Sequence, residues 1–197
     1  PQFVAIMAYN STGTTANTTK IRFFNSTGNG TWGAESELPT AGSPIRFLRA
    51  RYSPISSKVM VVTQSFDNYL DLYTCLQACQ NPLSWTVTNN FAKIGGIQRE
   101  RRFDVEFESA TGNAMILYGI ENTTTTCDLG YKILTNGNMS LSDANEGCID
   151  DTGYTTDIEY SNAEIYRKPW ANSSELTAVG LNNNGSRINA FVWNGTG

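Results

Sequence analysis

Histidine is missing altogether from this 197-residue chain. Its absence removes the commonest general base, the commonest zinc ligand and every Ser-His or Cys-His nucleophile pair. Charge is sparse as well: Asp, Glu, Lys and Arg make up 16% of the residues, with 14 basic side chains against 18 acidic ones. At a pI near 4.8 there is no basic surface to gather a polyanion, so no nucleic-acid partner is expected. No apolar run reaches the roughly 18 residues of a membrane-spanning helix. No membrane span is expected in the visible chain and no signal peptide is read at its start, where Pro1-Gln2 reads as a processed or trimmed end. Nothing in the composition calls for a cofactor.

Cysteine is also scarce. Cys75, Cys79, Cys127 and Cys148 allow three pairings, and their spacings of three and twenty intervening residues are not those of zinc knuckles. In an oxidising compartment the local pairs Cys75–Cys79 and Cys127–Cys148 are expected, each closing a short loop between neighbouring strands.

Small polar residues are abundant: 20 Asn, 23 Thr and 16 Ser, alongside 22 aromatics. That mixture suits many short strands joined by polar turns. Nine Asn-x-Ser/Thr sequons begin at Asn10, Asn17, Asn25, Asn29, Asn122, Asn138, Asn172, Asn184 and Asn194. Each is an acceptor for an N-linked glycan on an exposed turn. With the cysteines, they place the chain outside the cell or on its surface.

Three segments recur: Arg-Phe-Leu-Arg-Ala-Arg-Tyr at 46–52, Arg-Arg-Phe-Asp-Val-Glu-Phe at 101–107 and Tyr-Thr-Thr-Asp-Ile-Glu-Tyr at 154–160, with end-to-end spacings of 55 and 53 residues. Each alternates apolar and polar side chains, as a strand with one wet and one dry face does. A strand apolar on both faces follows each, at 59–62, 114–118 and 176–179, with 3–7 as its counterpart at the beginning. Such a strand must be covered from both sides. Third strands follow at 21–24, 70–73, 127–133 and 188–193, and weaker fourth strands are marked by Trp32 and by residues 84–88. Ser-Pro, Thr-Gly and Asn-Gly turns separate them, Gly95-Gly96 reads as a further turn, and no helix can be drawn.

The expected fold is therefore all-β: a β-propeller-like array of four-stranded antiparallel blades with a period of about 55 residues. A β-sandwich is the alternative, but there every strand should keep a polar face. The expected units are a partial blade at 1–44, blades at 45–98 and 99–153, and a partial blade at 154–197. Because the chain opens on a second strand and closes on a third, it is expected to be a window on a longer array.

In this order of strands the chain resembles the secreted β-propeller repeats of bacterial and archaeal cell-surface proteins, loosely like sialidase-type blades. The Asp-box of that family, Ser-x-Asp-x-Gly-x-x-Trp, is not found; Asn29-Gly-Thr-Trp32 keeps only a turn and its Trp. The family's arginine triad and tyrosine nucleophile match no assignable positions, so the resemblance carries no sialidase activity.

The densest carboxylate cluster is Asp104, Glu106 and Glu108, with Asp157 and Glu159 at the equivalent places one repeat later and Arg49 and Arg51 one repeat earlier. Paired carboxylates serve glycosidases; a polar first strand facing solvent or a channel, with ion pairs among blades, is the plainer account. Residues 143–151 are rich in oxygen ligands but lack the glycine and glutamate of an EF-hand, and read as a loose calcium site or an acidic loop clamped by Cys148. The stretch 163–170 reads as an insertion whose Tyr166, Arg167 and Trp170 form a candidate ligand or partner surface, or as a loop folded back by Trp170.

Three functions stay open. The leading one is a structural or adhesive subunit of a surface layer, appendage or filament, partnered by its own copies or other surface proteins through open strand edges. The second is a carbohydrate-binding module using Trp85, Trp170 and Trp193. The third is a glycoside-processing enzyme built on Asp104 and Glu106 or Asp157.

Overall fold

The computed structural model describes residues 3–9, 19–25, 30–95, 100–120, 127–141, 144–150, 160–170, 172–182 and 188–195. Its strands form four antiparallel sheets. The first sheet holds β1 (Phe3–Tyr9), β2 (Thr19–Asn25) and two short strands, β3 (Thr31–Trp32) and β4 (Ser36–Glu37), both paired to β2. The second runs in order β5 (Ile45–Tyr52), β6 (Val59–Ser65), β7 (Tyr69–Cys75) and β8 (Trp85–Lys93). The third is β9 (Phe103–Phe107), β10 (Ala114–Gly119), β11 (Leu129–Leu134) and β12 (Asn145–Asp150). The last is β13 (Tyr160–Arg167), β14 (Leu176–Asn182) and β15 (Ile188–Trp193). The second, third and last sheets are meanders of consecutive strands, which keeps their pairings local in sequence. A short 3-10 turn spans Pro82–Ser84.

The sheets stack face to face around three cores. Ile21 and Leu38 of the first sheet's side meet Val59, Val61, Tyr73 and Trp85 of the second. Met60, Val62, Leu70 and Leu72 of the second meet Phe103, Val105, Phe107 and Ile116 of the third. Met115, Leu117, Leu129 and Ile133 of the third meet Tyr160, Ala163, Ile165, Leu176 and Ala178 of the last. Val59 and Val61 thus face one neighbour while Met60 and Val62 face the other, so every residue of β6 is buried. Burial on both faces is what a two-sheet sandwich does not provide for its strands.

Turn chemistry fixes the hairpins. Gly112, at φ 70°, makes the β9–β10 turn, where Glu108 N–H bonds to the Asn113 carbonyl at 2.8 Å. In the second sheet a register shift at Asp71 kinks β7 against β8, and the Asp71 carboxylate accepts from the Asn90 backbone N–H at 2.7 Å. Two disulfides tie outer strands: Cys75 to Cys79 and Cys127 to Cys148.

Three expectations need correction. The first strand of the last sheet is residues 160–167, not 154–160, and residues 151–159 lie outside those described. Cross-strand register decides the alignment: Arg51, Glu106 and Tyr166 stand opposite Met60, Met115 and Thr177 in successive hairpins. The stretch read as an insertion is therefore largely this strand. Second, most of the acidic stretch 143–151 is strand β12 rather than a loop; Glu146 pairs with Lys132, and Asp143 and Asp151 fall outside the described residues. Third, of the settings expected for the polar first strand, solvent does not hold for β9, whose five residues are all buried, while the expected ion pairs to neighbouring sheets are present.

Candidate functional site

The first strands β5, β9 and β13 lie side by side in the stack of sheets. Each pairs with its own second strand on one side only, which leaves backbone donors on the other side to be satisfied by something else. Carboxylates supply that need. Asp104 Oδ2 accepts from the Ile165 N–H of β13 at 3.1 Å, and Oδ1 accepts from the Val105 N–H at 2.9 Å. Glu106 Oε1 accepts from the Phe107 N–H at 2.9 Å.

Arginines of the preceding and following strands close on the same carboxylates. Arg49 Nε lies 3.2 Å and Arg51 Nη2 3.7 Å from Asp104 Oδ1. Arg51 Nε donates to Glu106 Oε2 at 3.1 Å, and Arg167 Nη1 stands 4.0 Å from Oε1. The third acid, Glu108, accepts from the Trp193 indole N–H at 2.9 Å and from the Thr111 hydroxyl. One network therefore joins β5, β9 and β13. Asp104 is 1% exposed, and burial pushes its carboxyl above the ordinary value, against the lowering effect of the Ile165 and Val105 amides and of Arg51 and Arg49.

The positions equivalent to Arg49 and Arg51 in the last sheet are Glu164 and Tyr166, not Asp157 and Glu159, which lie outside the described residues. Glu164 receives Arg101 Nη2 at 2.9 Å and the Tyr166 hydroxyl. That hydrogen bond raises the Tyr166 phenol above its usual value. Glu164 and Arg101 were not picked out from sequence; placing Tyr166 in the column of Arg51 would have found Glu164. The network is closed by its own charges: each oxygen of Asp104 and Glu106 has a protein donor. A general acid–base pair would instead aim a lone pair or proton at an open site.

Of the aromatics considered for sugar stacking, Trp85 is buried and donates its indole N–H to the Cys79 carbonyl at 2.9 Å. Trp193 packs on Tyr131 and donates to Glu108. Trp170 is 67% exposed, with Lys168 Nζ 4.8 Å above its ring, and Tyr166 and Arg167 are also exposed. These three do share one end of the last sheet. Among the sequons, Asn138, Asn172 and Asn194 are exposed, and Asn25 ends β2. Asn10, Asn17, Asn29, Asn122 and Asn184 lie outside the described residues. No helix among the described residues is long and apolar enough to cross a membrane, and none of their Cys, Asp and Glu residues gather into a metal-binding cluster.

No protein-family model matches the chain, and no curated protein matches it. Solved structures do. The NanB sialidase of Streptococcus pneumoniae aligns with a TM-score of 0.56 at 10% identity, over 91% of this chain and 25% of that one. The intramolecular trans-sialidase of Ruminococcus gnavus aligns with a TM-score of 0.56 at 11% identity, over 98% of this chain and 40% of that one. The chain thus spans well under half the length of either neighbour. At such identities the likeness speaks to fold alone: the four stacked antiparallel sheets resemble the β-propeller folds of sialidases.

Proposed function

We propose that this chain is a secreted, N-glycosylated structural or adhesive module of a cell surface, a subunit of a filament, appendage or layer, that binds a second copy of itself through the outward side of its last sheet. One observation carries the reading. Met60, Val62, Leu70 and Leu72 of the second sheet are covered by the third, with Thr74 at the next register position on the same face, and the equivalents of these five, Met115, Leu117, Leu129, Tyr131 and Ile133, pack against the last. In the last sheet the same positions are Thr177, Val179, Ile188, Ala190 and Val192, of which Ile188 is 73% and Val192 70% exposed.

An apolar face built like two faces already paired within the chain fits a further sheet of the same kind. Among the described residues β15 also pairs only with β14, so its other edge offers unpaired backbone groups to a neighbouring strand. Two disulfides suit an oxidising compartment, and the exposed sequons suit glycans that shield the faces not used for pairing.

Sedimentation of the purified protein across a wide concentration range should show self-association. Val192→Asp should weaken it about a hundredfold, because an unpaired carboxylate would be buried at the contact, while the circular dichroism spectrum stays unchanged. A monomer at every concentration would count against the proposal, as would unaltered association of the variant. Carbohydrate recognition is a second reading, favoured by the exposed Trp170, Tyr166 and Arg167. Saturable glycan binding that disappears in Trp170→Ala would select it.

A further inference from the structure

A groove of about 310 Å³ lies against the β7–β8 pair of the second sheet where the third sheet approaches it, and is lined by Thr74, Leu76, Gln77, Ser84, Thr86 and Asn138. Five of these come from β7, β8 and the loop between them, and the sixth crosses from the β11–β12 turn of the next sheet. Its walls are held firmly. The Thr74 and Thr86 hydroxyls are 2.8 Å apart, Cys75 is bonded to Cys79, and Asn81 Oδ1 caps the Pro82–Ser84 turn through the Leu83 N–H at 3.0 Å. Hydroxyl and amide groups line it beside one exposed aliphatic side chain, Leu76. That mixture matches a sugar, whose hydroxyls and acetamido group need partners while its ring carbons need an apolar contact.

Asn138 is both a groove residue and the acceptor of the sequon Asn138-Met139-Ser140. Its turn is fixed from several sides. Met139, at φ 53°, is buried in the core between the second and third sheets. Asn136 Oδ1 accepts from Lys58 Nζ at 2.7 Å, and Asn136 Nδ2 donates to the Thr111 carbonyl at 2.8 Å. Asn138 Oδ1 accepts from the Ser140 N–H at 3.1 Å, which orients the side chain at the rim of the groove.

Resting on the reading of this chain as N-glycosylated, we infer that Asn138 carries a glycan whose first sugar seats in this groove and bridges the second and third sheets. Attachment needs a lipid-linked oligosaccharide donor and a transferase. The Asn138 amide nitrogen bonds to the anomeric carbon, the bond from that carbon to the donor's phosphate oxygen breaks, and the amide proton leaves to the transferase's base; nothing is oxidised or reduced. Once attached, the sugar finds Thr74, Ser84, Thr86 and Gln77 as hydrogen-bond partners and Leu76 beneath its ring.

The test uses protein secreted by an N-glycosylating host and an amidase that cleaves N-glycans, applied to folded and to denatured protein. Mass spectrometry in heavy-oxygen water marks each released Asn as labelled Asp. Asn138 should be occupied and released from the folded protein roughly tenfold more slowly than the other occupied sequons, the protection that a pair of net hydrogen bonds affords. Denaturation should abolish the difference. In Thr86→Trp, which fills the groove from an exposed position, Asn138 should stay occupied and lose its protection. Release at the common rate, or an empty Asn138 beside other occupied sequons, would overturn the groove while leaving the glycoprotein reading intact. Finding no sequon occupied would overturn both. A Thr86→Trp chain that fails to fold leaves the comparison between sequons in the parent protein decisive.

Discussion

Asp104→Ala is expected to cost about 3–5 kcal/mol of stability, the range for removing one partner from a buried, hydrogen-bonded ion pair. The carboxylate is nearly inaccessible, accepts the Ile165 amide from a neighbouring sheet and lies against Arg49 and Arg51. Its loss takes the carboxylate acceptor from the Ile165 and Val105 N–H groups and the counter-charge from beside Arg49, while Arg51 keeps Glu106. Chemical denaturation of the variant and parent measures the difference, and a loss below about 1 kcal/mol, the scale of an exposed pair, would refute the account.

The same residue sets a direction in pH. Burial raises the Asp104 carboxyl and also that of Asp71, which is held by the Asn90 amide. A carboxyl whose folded-state value lies above its unfolded one, near 3.9, binds its proton more tightly when folded. Its contribution to stability is complete below that unfolded value and declines as pH rises through the folded one. Going from neutral pH towards 4, both groups should therefore favour the folded state, opposite to the usual acid denaturation. Asp104→Asn removes one titrating group, so its stability curve should lose part of this slope relative to the parent. Parallel curves across that window would show that Asp104 is not the source.

Breaking the Cys127–Cys148 bridge is the second large effect. A separation of 21 residues corresponds to about 3 kcal/mol of restricted unfolded-chain freedom, against about 2 kcal/mol for the separation of 4 at Cys75–Cys79. For a chain of this size the longer bridge translates to a fall of roughly 6–12 °C in melting temperature. Replacing both Cys127 and Cys148 by Ser and recording thermal melts checks this. A melting temperature within about a degree of the parent would show that the outer strand β12 is held without it.

The sheets could be read from residues 59–62 because a run apolar at every position has only one stable environment, between two layers. The disulfide partners could be read from loop length. The last first strand could not. Residues 154–160 show the same alternation as 46–52, and alternation reports a pleat without reporting its register; only pairing of Arg167 with Leu176 places the strand at 160–167. Trp85 and Trp193 were misread for a related reason. Period-two patterning says which side a residue takes, but not that the Cys79 carbonyl, six residues away across the β7–β8 loop, or the Glu108 carboxylate of another sheet engages the indole. Glu106 and Arg51 are 55 residues apart in sequence and 3.1 Å apart in space, a meeting that follows from stacking alone. The groove at Asn138 is likewise invisible in sequence, since its walls belong to two sheets.

The two covalent staples sit on the third and fourth strands, whereas the guanidinium–carboxylate lattice lies along the first. Chemical insults therefore strike separate margins of the molecule. A thiol reagent loosens the third and fourth strands and spares the first; concentrated electrolyte screens the partly exposed arginines of the first strands and spares the others. Combined treatment should weaken both margins where either alone leaves one intact.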